Sequence, residues 1–250
     1  MPHHPRSAQP PSHSLRARLC AAAVLAGLAG ALLLHQPSRA ADEARRLPPP
    51  ATDARLAGEV RGSQSVVPAG GCFWGVQGVF EHVRGVERAV SGYAGGAAET
   101  ADYATVSTGA TGHAEAVRVS YDPAQISYGE ILRIFFSVAL DPTEVDRQGP
   151  DTGTQYRSEI FTTTPGQAEA ARAYIAQLDQ AHAFGRPIAT RVAPLAGFYP
   201  AEAYHQDYLV RHPGNPYIVV NDLPKVRALR RLFPERYVEQ PVLALPPSPA

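Results

Sequence analysis

The chain has 250 residues and equal numbers of basic and acidic side chains, 23 Lys plus Arg against 23 Asp plus Glu. This balance gives no broad basic field for nucleic acid and no polybasic patch for a membrane surface, so we expect a small or peptide-like ligand. The chain contains two cysteines, Cys20 and Cys72, and a single methionine, Met1.

Residues 1–40 have the pattern of a secretory signal peptide. Residues 1–18 are basic and proline-rich, the apolar run "LCAAAVLAGLAGALLL" follows, and Ser-Arg-Ala offers a cleavage signal before Ala41. A membrane-spanning helix needs about 20 apolar residues, so this shorter run predicts cleavage and export to the periplasm, with an uncleaved membrane anchor as the alternative. Cleavage would remove Cys20 and leave Cys72 without a partner for an intramolecular disulfide.

The composition divides the rest of the chain into three parts. Residues 41–64 are rich in Pro, Ala and Arg and predict a linker, and residues 238–250 predict a disordered tail. Residues 65–237 mix strand and helix patterns without an internal repeat. We therefore expect one catalytic or binding domain in this range.

The stretch "VVPAGGCFWGVQGVF" predicts a helix that begins after two glycines, with Cys72 in its first turn. Free N–H groups and the helix dipole stabilise a thiolate there, and the thiolate is the nucleophilic form. The alternative is a buried structural cysteine, which the open Gly-Gly backbone disfavours. Phe73 and Trp74 are either core residues or the wall of a pocket for a small alkyl or thioether group.

Two strands follow, in "VERAVSGYAGG" and "HAEAVRVSYDP", where Ala116 is out of phase with Val117 and Val119. His113 and Glu115 lie two residues apart at the start of the second strand, on one face. If Glu115 is buried beside the aromatic rings, its pKa is raised and it becomes a proton donor. The alternative is a solvated glutamate on an edge strand.

Two helices are predicted next. "SYGEILRIFFSVA" has a capping box of Ser127 and Glu130, and "TPGQAEAARAYIAQLDQAHAF" has Thr164 as N-cap and Pro165 at its first position. "EIFTT" and "IATRVAPL" flank the second helix as strands. Because strands and helices do not alternate strictly, we expect an α+β two-layer sandwich and not a doubly wound parallel sheet.

Between these helices, "RQGPDTGTQYRSEIF" predicts a glycine-broken loop with the polar groups of a binding edge. These groups belong to Asp151, Gln155, Tyr156 and Arg157. His182, His205 and His212 are too widely spaced to suggest a metal cluster, and no second cysteine is available beside them. We therefore expect neither a metal ion nor another cofactor.

Five motifs together resemble the A-type peptide methionine sulfoxide reductases and occur in that family's order. They are "GGCFWGVQ", "SGYAGG", "DYATVSTGATGHAEAVRVSYDP", "DPTEVDRQGPDTGTQYRSEIF" and "FYPAEAYHQDYLVRHPGNPYIVVNDLPKV". The resemblance covers residues 66–237. It implies a ferredoxin-like two-layer α+β sandwich with a long C-terminal loop region.

The resemblance also implies roles for the site residues. Cys72 matches the family's nucleophile, Phe73 and Trp74 match the pocket for the sulfoxide's methyl group, and Glu115 matches the proton donor to the sulfoxide oxygen. The implied reaction is the thiol-dependent reduction of methionine-S-sulfoxide, free or in proteins, through a sulfenic acid on Cys72.

Three further positions match the family. Tyr103 and Tyr156 match two phenols that hydrogen-bond the sulfoxide oxygen, and Asp151 matches a carboxylate that holds the substrate backbone. Ser107 and the cysteine-free C-terminus stand where many relatives carry a resolving cysteine. We therefore expect a thioredoxin-like protein or a small thiol as reductant, oxidised proteins or peptides as substrates, and a monomer.

Two other functions stay open from the residues alone. A Cys-His acyl transferase or protease would use His113 or His205 as the base beside Cys72. A non-catalytic module would bind oxidised methionine without turnover.

Overall fold

The computed structural model describes residues 44–51 and 62–245. The signal-peptide prediction for residues 1–40 lies outside this part of the chain. Within it, none of the helices combines the length and the apolar character that crossing a membrane requires.

The strands and helices of the described ranges have the following bounds. The strands are β1 (Gln64–Gly70), β2 (Val86–Ala94), β3 (Ala114–Tyr121), β4 (Arg147–Gln148), β5 (Asp151–Thr152), β6 (Ser158–Thr162), β7 (Arg191–Pro194) and β8 (Phe198–Pro200). The α-helices are α1 (Phe73–Glu81), α2 (Tyr103–Val106), α3 (Tyr128–Ile134), α4 (Pro165–Gln180), α5 (Tyr208–Arg211) and α6 (Leu223–Leu232). Two π turns, Phe135–Ala139 and Ile218–Asp222, follow α3 and precede α6.

Six strands form one sheet in the order β7-β6-β1-β3-β2-β8. All neighbours are antiparallel except β6 and β7, which are parallel. The inner order β6-β1-β3-β2, with α1 and α3 in the crossovers, is the ferredoxin-like arrangement. β7 and β8 extend it at the two edges, and β4 pairs with β5 in a separate hairpin. The predicted α+β fold is confirmed.

The alternation along β3 decides which side chains enter each layer. Val117 and Val119 belong to the large core beneath the helices, whereas Ala114 and Ala116 belong to a small cluster on the opposite face. This is the two-residue period of a strand, in which successive side chains point to opposite faces. Glu115 has the parity of the valines, so the strand directs a carboxyl group into the helix layer.

The two predicted helix starts are confirmed in detail. The Ser127 hydroxyl accepts a hydrogen bond from the Glu130 N–H at 3.1 Å, and the Thr164 hydroxyl accepts one from the Gln167 N–H at 3.2 Å. Each bond satisfies an N–H group that has no partner inside its helix. Local sequence therefore sets where α3 and α4 begin.

The linker prediction for residues 41–64 is wrong for residues 44–51, which pack on the domain. The Leu47 side chain is 2 % exposed, and its N–H donates to the Ser137 hydroxyl at 3.2 Å. Its carbonyl accepts from Arg133 Nε at 2.7 Å. Composition indicated a linker because one leucine among prolines carries little weight, yet that leucine fills the core.

The region after β7 contains β8, α5 and α6 besides its loops, and the tail predicted to be disordered is ordered up to residue 245. The fully buried Asp207 carboxylate accepts the N–H groups of Ala244 at 2.7 Å and Leu245 at 3.2 Å. The Val242 N–H donates to the Glu81 carbonyl at 2.9 Å. These long-range backbone contacts hold the tail and cannot be read from its proline-rich composition.

Candidate active site

Cys72 is the N-cap of α1 and is buried. The preceding Gly71 has a φ of +83°, a left-handed conformation that favours glycine. A Cβ atom there would lie 2.4 Å from Cβ of Gln148. The glycine therefore allows the β4–β5 hairpin to approach the thiol closely.

The expectation that the helix start holds Cys72 as a resting thiolate is wrong. Burial raises the pKa of the thiol well above its usual value, and the carboxylates of Glu115, Asp222 and Asp151 raise it further. The N–H of Trp74, which hydrogen-bonds the sulfur, lowers the pKa but does not offset these causes. Desolvation and neighbouring anions outweigh the helix end here, so the resting group is a thiol.

Glu115 lies against the same helix start and is 3 % exposed. Its Oε2 accepts a hydrogen bond from the Phe73 N–H at 3.0 Å. Burial raises the pKa of Glu115 to about 8, and although the Phe73 N–H opposes this, the charges of Asp151 and Asp222 add to it. The predicted raised pKa is confirmed, and the carboxyl group is protonated at neutral pH.

Phe73 and Trp74 contribute differently to the site. The Phe73 ring is buried, with its centroid 5.1 Å from that of His205. Trp74 is half-buried and stacks on Tyr208 with the ring centroids 3.9 Å apart, while its Nε1 donates to His205 Nδ1 at 3.1 Å. His205 therefore contacts both rings and Tyr208 stacks on Trp74, at the start of the helix that Cys72 caps.

The two predicted phenols reach the site from separate short helices. Tyr103 opens α2, and its N–H donates to Oε1 of Glu202 at 2.9 Å. Tyr156 closes the 3-10 turn Thr154–Tyr156. Burial is the main cause that raises the pKa of each phenol, and the charges of Glu115 and Cys72 contribute to both. Both phenols stay protonated near neutral pH and remain hydrogen-bond donors.

Asp151, on β5, accepts a hydrogen bond from the Tyr217 hydroxyl. Burial raises the pKa of Asp151, while Tyr217 and Lys225 lower it. The carboxylate lines one cleft with the thiol. The cleft is formed by Cys72, Gln148, Gly149, Pro150, Asp151, Tyr217, Asn221 and Lys225.

Sequence reasoning assigned no role to Tyr217, Asp222 or Lys225, although all three lie in the last motif. They reach the thiol because the π turn Ile218–Asp222 and helix α6 pack against α1. The available signal was the Asn-Asp-Leu-Pro-Lys sequence, in which an aspartate at a helix start is followed by proline and a basic residue.

Neither histidine of the acyl-transfer hypothesis is placed as a base for the thiol. The His113 ring nitrogens contact the Gly96 N–H at 3.2 Å and the Ala97 carbonyl at 2.9 Å. His205 Nδ1 accepts from Trp74, as described above, and burial lowers the pKa of the ring. Among residues 44–51 and 62–245, no group of three or more His, Cys, Asp or Glu side chains is arranged to hold a metal ion.

The comparisons with known proteins agree with this geometry. Residues 64–237 match the family model described as peptide methionine sulfoxide reductase. The chain is 56 % identical over 187 residues to the peptide methionine sulfoxide reductase MsrA 2 of Mesorhizobium japonicum, covering 75 % of this chain and 96 % of that protein. It is 52 % identical over 195 residues to MsrA 2 of Synechocystis, covering 78 % and 91 %.

Solved structures show the same fold. Methionine sulfoxide reductase A of Corynebacterium diphtheriae superposes with a TM-score of 0.53 at 35 % identity, covering 69 % of this chain and 89 % of that one. Reduced Mxr1 of Saccharomyces cerevisiae superposes with a TM-score of 0.55 at 33 % identity, covering 61 % and 87 %. The chain therefore belongs to the A-type peptide methionine sulfoxide reductases.

Proposed function

We propose that the protein reduces methionine-S-sulfoxide, free or in proteins, with Cys72 as nucleophile and Glu115 as proton donor. The observation that carries this proposal is the pairing of a buried thiol with a carboxyl group that is protonated at neutral pH, both at the start of α1. A sulfoxide needs both groups, because its sulfur is a poor electrophile until its oxygen is protonated or hydrogen-bonded.

The first step moves two protons in opposite directions. Glu115 gives its proton to the sulfoxide oxygen while the sulfur of Cys72 bonds to the sulfoxide sulfur, and the thiol proton passes to the Glu115 carboxylate. The hydroxyl then moves to Cys72 and the bond between the two sulfur atoms breaks, which releases the thioether. The sulfoxide is reduced by two electrons, and Cys72 is oxidised to a sulfenic acid.

The surrounding side chains orient the substrate for this step. Tyr103 and Tyr156 donate hydrogen bonds to the sulfoxide oxygen, because both phenols remain protonated. Phe73 and Trp74 enclose the methyl group. Asp151 binds the backbone of the oxidised methionine, and the Tyr217 hydroxyl holds that carboxylate in place.

An external thiol completes the cycle. The sequence has no cysteine after Cys72. A first thiol therefore attacks the sulfenic acid, forming a mixed disulfide and water, and a second thiol releases Cys72. A thioredoxin-like protein or a small thiol supplies both equivalents to a monomeric enzyme.

The N-terminal pattern of residues 1–40 supports a place of action outside the cytosol. A basic segment, an apolar run and a small-residue cleavage signal are typical of exported proteins. Export to the periplasm would require an electron donor in that compartment. A fusion of residues 1–41 to a reporter that is active only after export tests this: activity supports it, and a cytosolic reporter contradicts it.

One assay separates the three functions. The protein is given a peptide with methionine-S-sulfoxide, the matching R epimer and a chromogenic ester, with dithiothreitol as reductant. We expect the thioether from the S epimer alone and no ester hydrolysis. Ester hydrolysis lost in Cys72→Ser would support the acyl transferase, and sulfoxide binding without product would support the binding module.

A further inference from the structure

We propose that Asp222 and Lys225 form a positioning pair, packed against the first turn of α1, that favours the protonated forms of Glu115 and Cys72 in the free enzyme. This inference rests on the proposed function, since it concerns the charge state of the proposed acid and nucleophile. Neither Asp222 nor Lys225 is assigned a part in the chemistry above.

Asp222 occupies a helix N-cap without acting as a cap. It precedes Leu223, the first residue of α6, yet its side chain makes no capping hydrogen bond. The backbone of Asp222 is itself helical, because the π turn Ile218–Asp222 runs directly into α6, so no open helix start is present for its carboxylate to cap. Here the carboxylate is committed to other neighbours.

Those neighbours are Lys225 and the first turn of α1. Lys225 Nζ donates to Asp222 Oδ1 at 3.2 Å. A Cβ atom at Gly75 would lie 2.1 Å from Asp222 Oδ1 and 2.9 Å from Lys225 Nζ. Glycine inside a helix is less favourable than alanine. At Gly75 it opens the space through which the ion pair reaches the helix that carries the thiol.

The pair is buried and incompletely satisfied. Asp222 is fully buried and Lys225 is 6 % exposed. Asp222 Oδ2 has no hydrogen-bond donor among the described residues. Buried ion pairs are often no more stabilising than apolar residues of the same size, so stability alone gives no reason for this one.

The pair instead affects the groups around the thiol. Asp222 raises the pKa of both Cys72 and Glu115. Burial raises the pKa of Asp222 and of Asp151, and the positive charge of Lys225 opposes this by favouring the charged form of each carboxylate. Six titratable groups either shift the pKa of the Cys72 thiol or have their own pKa shifted by it, and Lys225 lies beside them. The six are Glu115, Asp151, Asp222, Tyr103, Tyr156 and Tyr217. In this set, taken from residues 44–51 and 62–245, Lys225 carries the positive charge.

Lys225 and the two aspartates therefore have different electrostatic effects. Lys225 favours the ionised forms of Asp222 and Asp151 against the effect of their burial, and negative charge on either carboxylate opposes ionisation of Glu115 and of Cys72. The carboxyl group therefore keeps the proton that the sulfoxide oxygen needs, and the thiol keeps its own until the carboxylate can accept it.

The test is Asp222→Asn, which keeps the size of the side chain and removes its charge. Cys72 alkylation by iodoacetamide, followed by mass analysis of its peptide, and single-turnover sulfoxide reduction are measured against pH. We expect the alkylation midpoint and the alkaline limb of reduction to move to lower pH by about one unit, the scale of a nearby charge. Alkylation near neutral pH then rises about tenfold, since one unit changes the thiolate fraction tenfold.

A second variant covers the possibility that an unpaired Lys225 disrupts the fold. Asp222→Asn combined with Lys225→Met removes both charges and keeps the volume. We expect the alkylation midpoint and the alkaline limb of reduction to move to lower pH, by less than in Asp222→Asn alone. A folded double variant with the parent's two midpoints would overturn the proposal.

Asp207→Asn is the matched control. Asp207 is also fully buried and pairs with a basic residue, Arg211, at 3.1 Å, but it lies near the far end of α1. We expect neither midpoint to move in this variant. Equal shifts in Asp207→Asn and Asp222→Asn would contradict a specific role for the pair. The alkylation midpoint tests the pair even if the parent protein reduces no sulfoxide, so the two proposals fail separately.

Discussion

Helix α1 has buried carboxyl groups at both of its ends, and the two ends use them differently. At the start lie Glu115 and Asp222, beside Cys72. At the end lie Glu81 and Asp207, both fully buried. The residue types and the burial are alike, so the difference must come from what each carboxyl group faces.

At the far end the partners are structural. Asp207 accepts two backbone N–H groups of the tail and pairs with Arg211. Burial raises the pKa of Glu81 well above its usual value, and the nearby Asp207 charge adds to this, so the fold favours the protonated form of Glu81. This end fixes the C-terminal segment and faces no thiol.

At the start of α1, the near end, the carboxyl groups lie beside the reactive thiol. Glu115 has one backbone donor, the Phe73 N–H, and its charge acts on the Cys72 thiol. A carboxyl group with few fixed partners can exchange its proton during a reaction, whereas one bound to several N–H groups cannot do so without breaking them. Glu81 also has few fixed partners, so the comparison teaches that closeness to the thiol, and not burial or the number of partners alone, distinguishes a reactive carboxyl group from a structural one.

At the start of α1, the variant with the largest expected effect is Cys72→Ser. We expect complete loss of sulfoxide reduction, because a serine hydroxyl gives up its proton far less readily than a thiol and is a poor nucleophile, with little change in the melting temperature. Reduction is measured with dithiothreitol present. Appreciable turnover by the folded variant would remove Cys72 from the mechanism.

Glu115→Gln tests the proton donor. We expect single-turnover reduction to slow by a factor on the order of 10²–10⁴, as for other lost general acids, with substrate binding kept. In the parent, the rate falls as pH rises through about 8, because Glu115 loses its proton there. That alkaline limb should be absent in the variant. Parental rates in Glu115→Gln would show that the proton comes from another group.

Asp207→Asn tests the far end. An amide can accept one of the two tail N–H groups but not both well, so we expect a loss of stability of about 1–3 kcal/mol. The kcat of the folded enzyme should stay nearly unchanged. Denaturant unfolding and kcat are measured on the same sample. A large fall in kcat at full folding would show that the two ends of α1 are not separate.

We expect Glu81→Gln to leave turnover unchanged, the smallest effect of the four variants. The folded chain keeps the Glu81 proton above pH 4.5, whereas the unfolded chain loses it, so this group makes the parent less stable as pH rises. The variant has no carboxyl group at this position. Its free energy of unfolding, relative to that of the parent, should therefore increase by about 1.4 kcal/mol for each unit that the pH rises above 4.5. A stability difference that does not change with pH would mean that Glu81 is ionised in the fold.

Sequence patterns predicted the features that depend on neighbours in the chain. Ser127 and Thr164 cap their helices as expected, because a cap needs only residues within one turn. The position of Glu115 on the helix face of β3 follows from the period of two. The roles of the family-matched side chains stay predictions until the variants are measured.

Features that depend on distant packing were missed or misjudged. The Cys72 thiol was expected to be ionised from its helix position, but its burial and its neighbours Asp151 and Asp222 come from other elements. Leu47 lies in a segment whose composition indicated a linker and Ala244 in one whose composition indicated disorder, yet single side chains and backbone hydrogen bonds fix both. Local composition cannot report such contacts.

The central claim is that a buried thiol and a protonated carboxyl group together reduce a sulfoxide and leave a sulfenic acid on Cys72. The most direct measurement is a reaction with excess methionine-S-sulfoxide without reductant, in a chain carrying Cys20→Ser so that Cys72 is the single thiol. We predict about one methionine released per chain, together with a dimedone adduct on Cys72. A burst clearly above one per chain, a disulfide-linked dimer as main product, or methionine released with Cys72 unmodified would contradict the account.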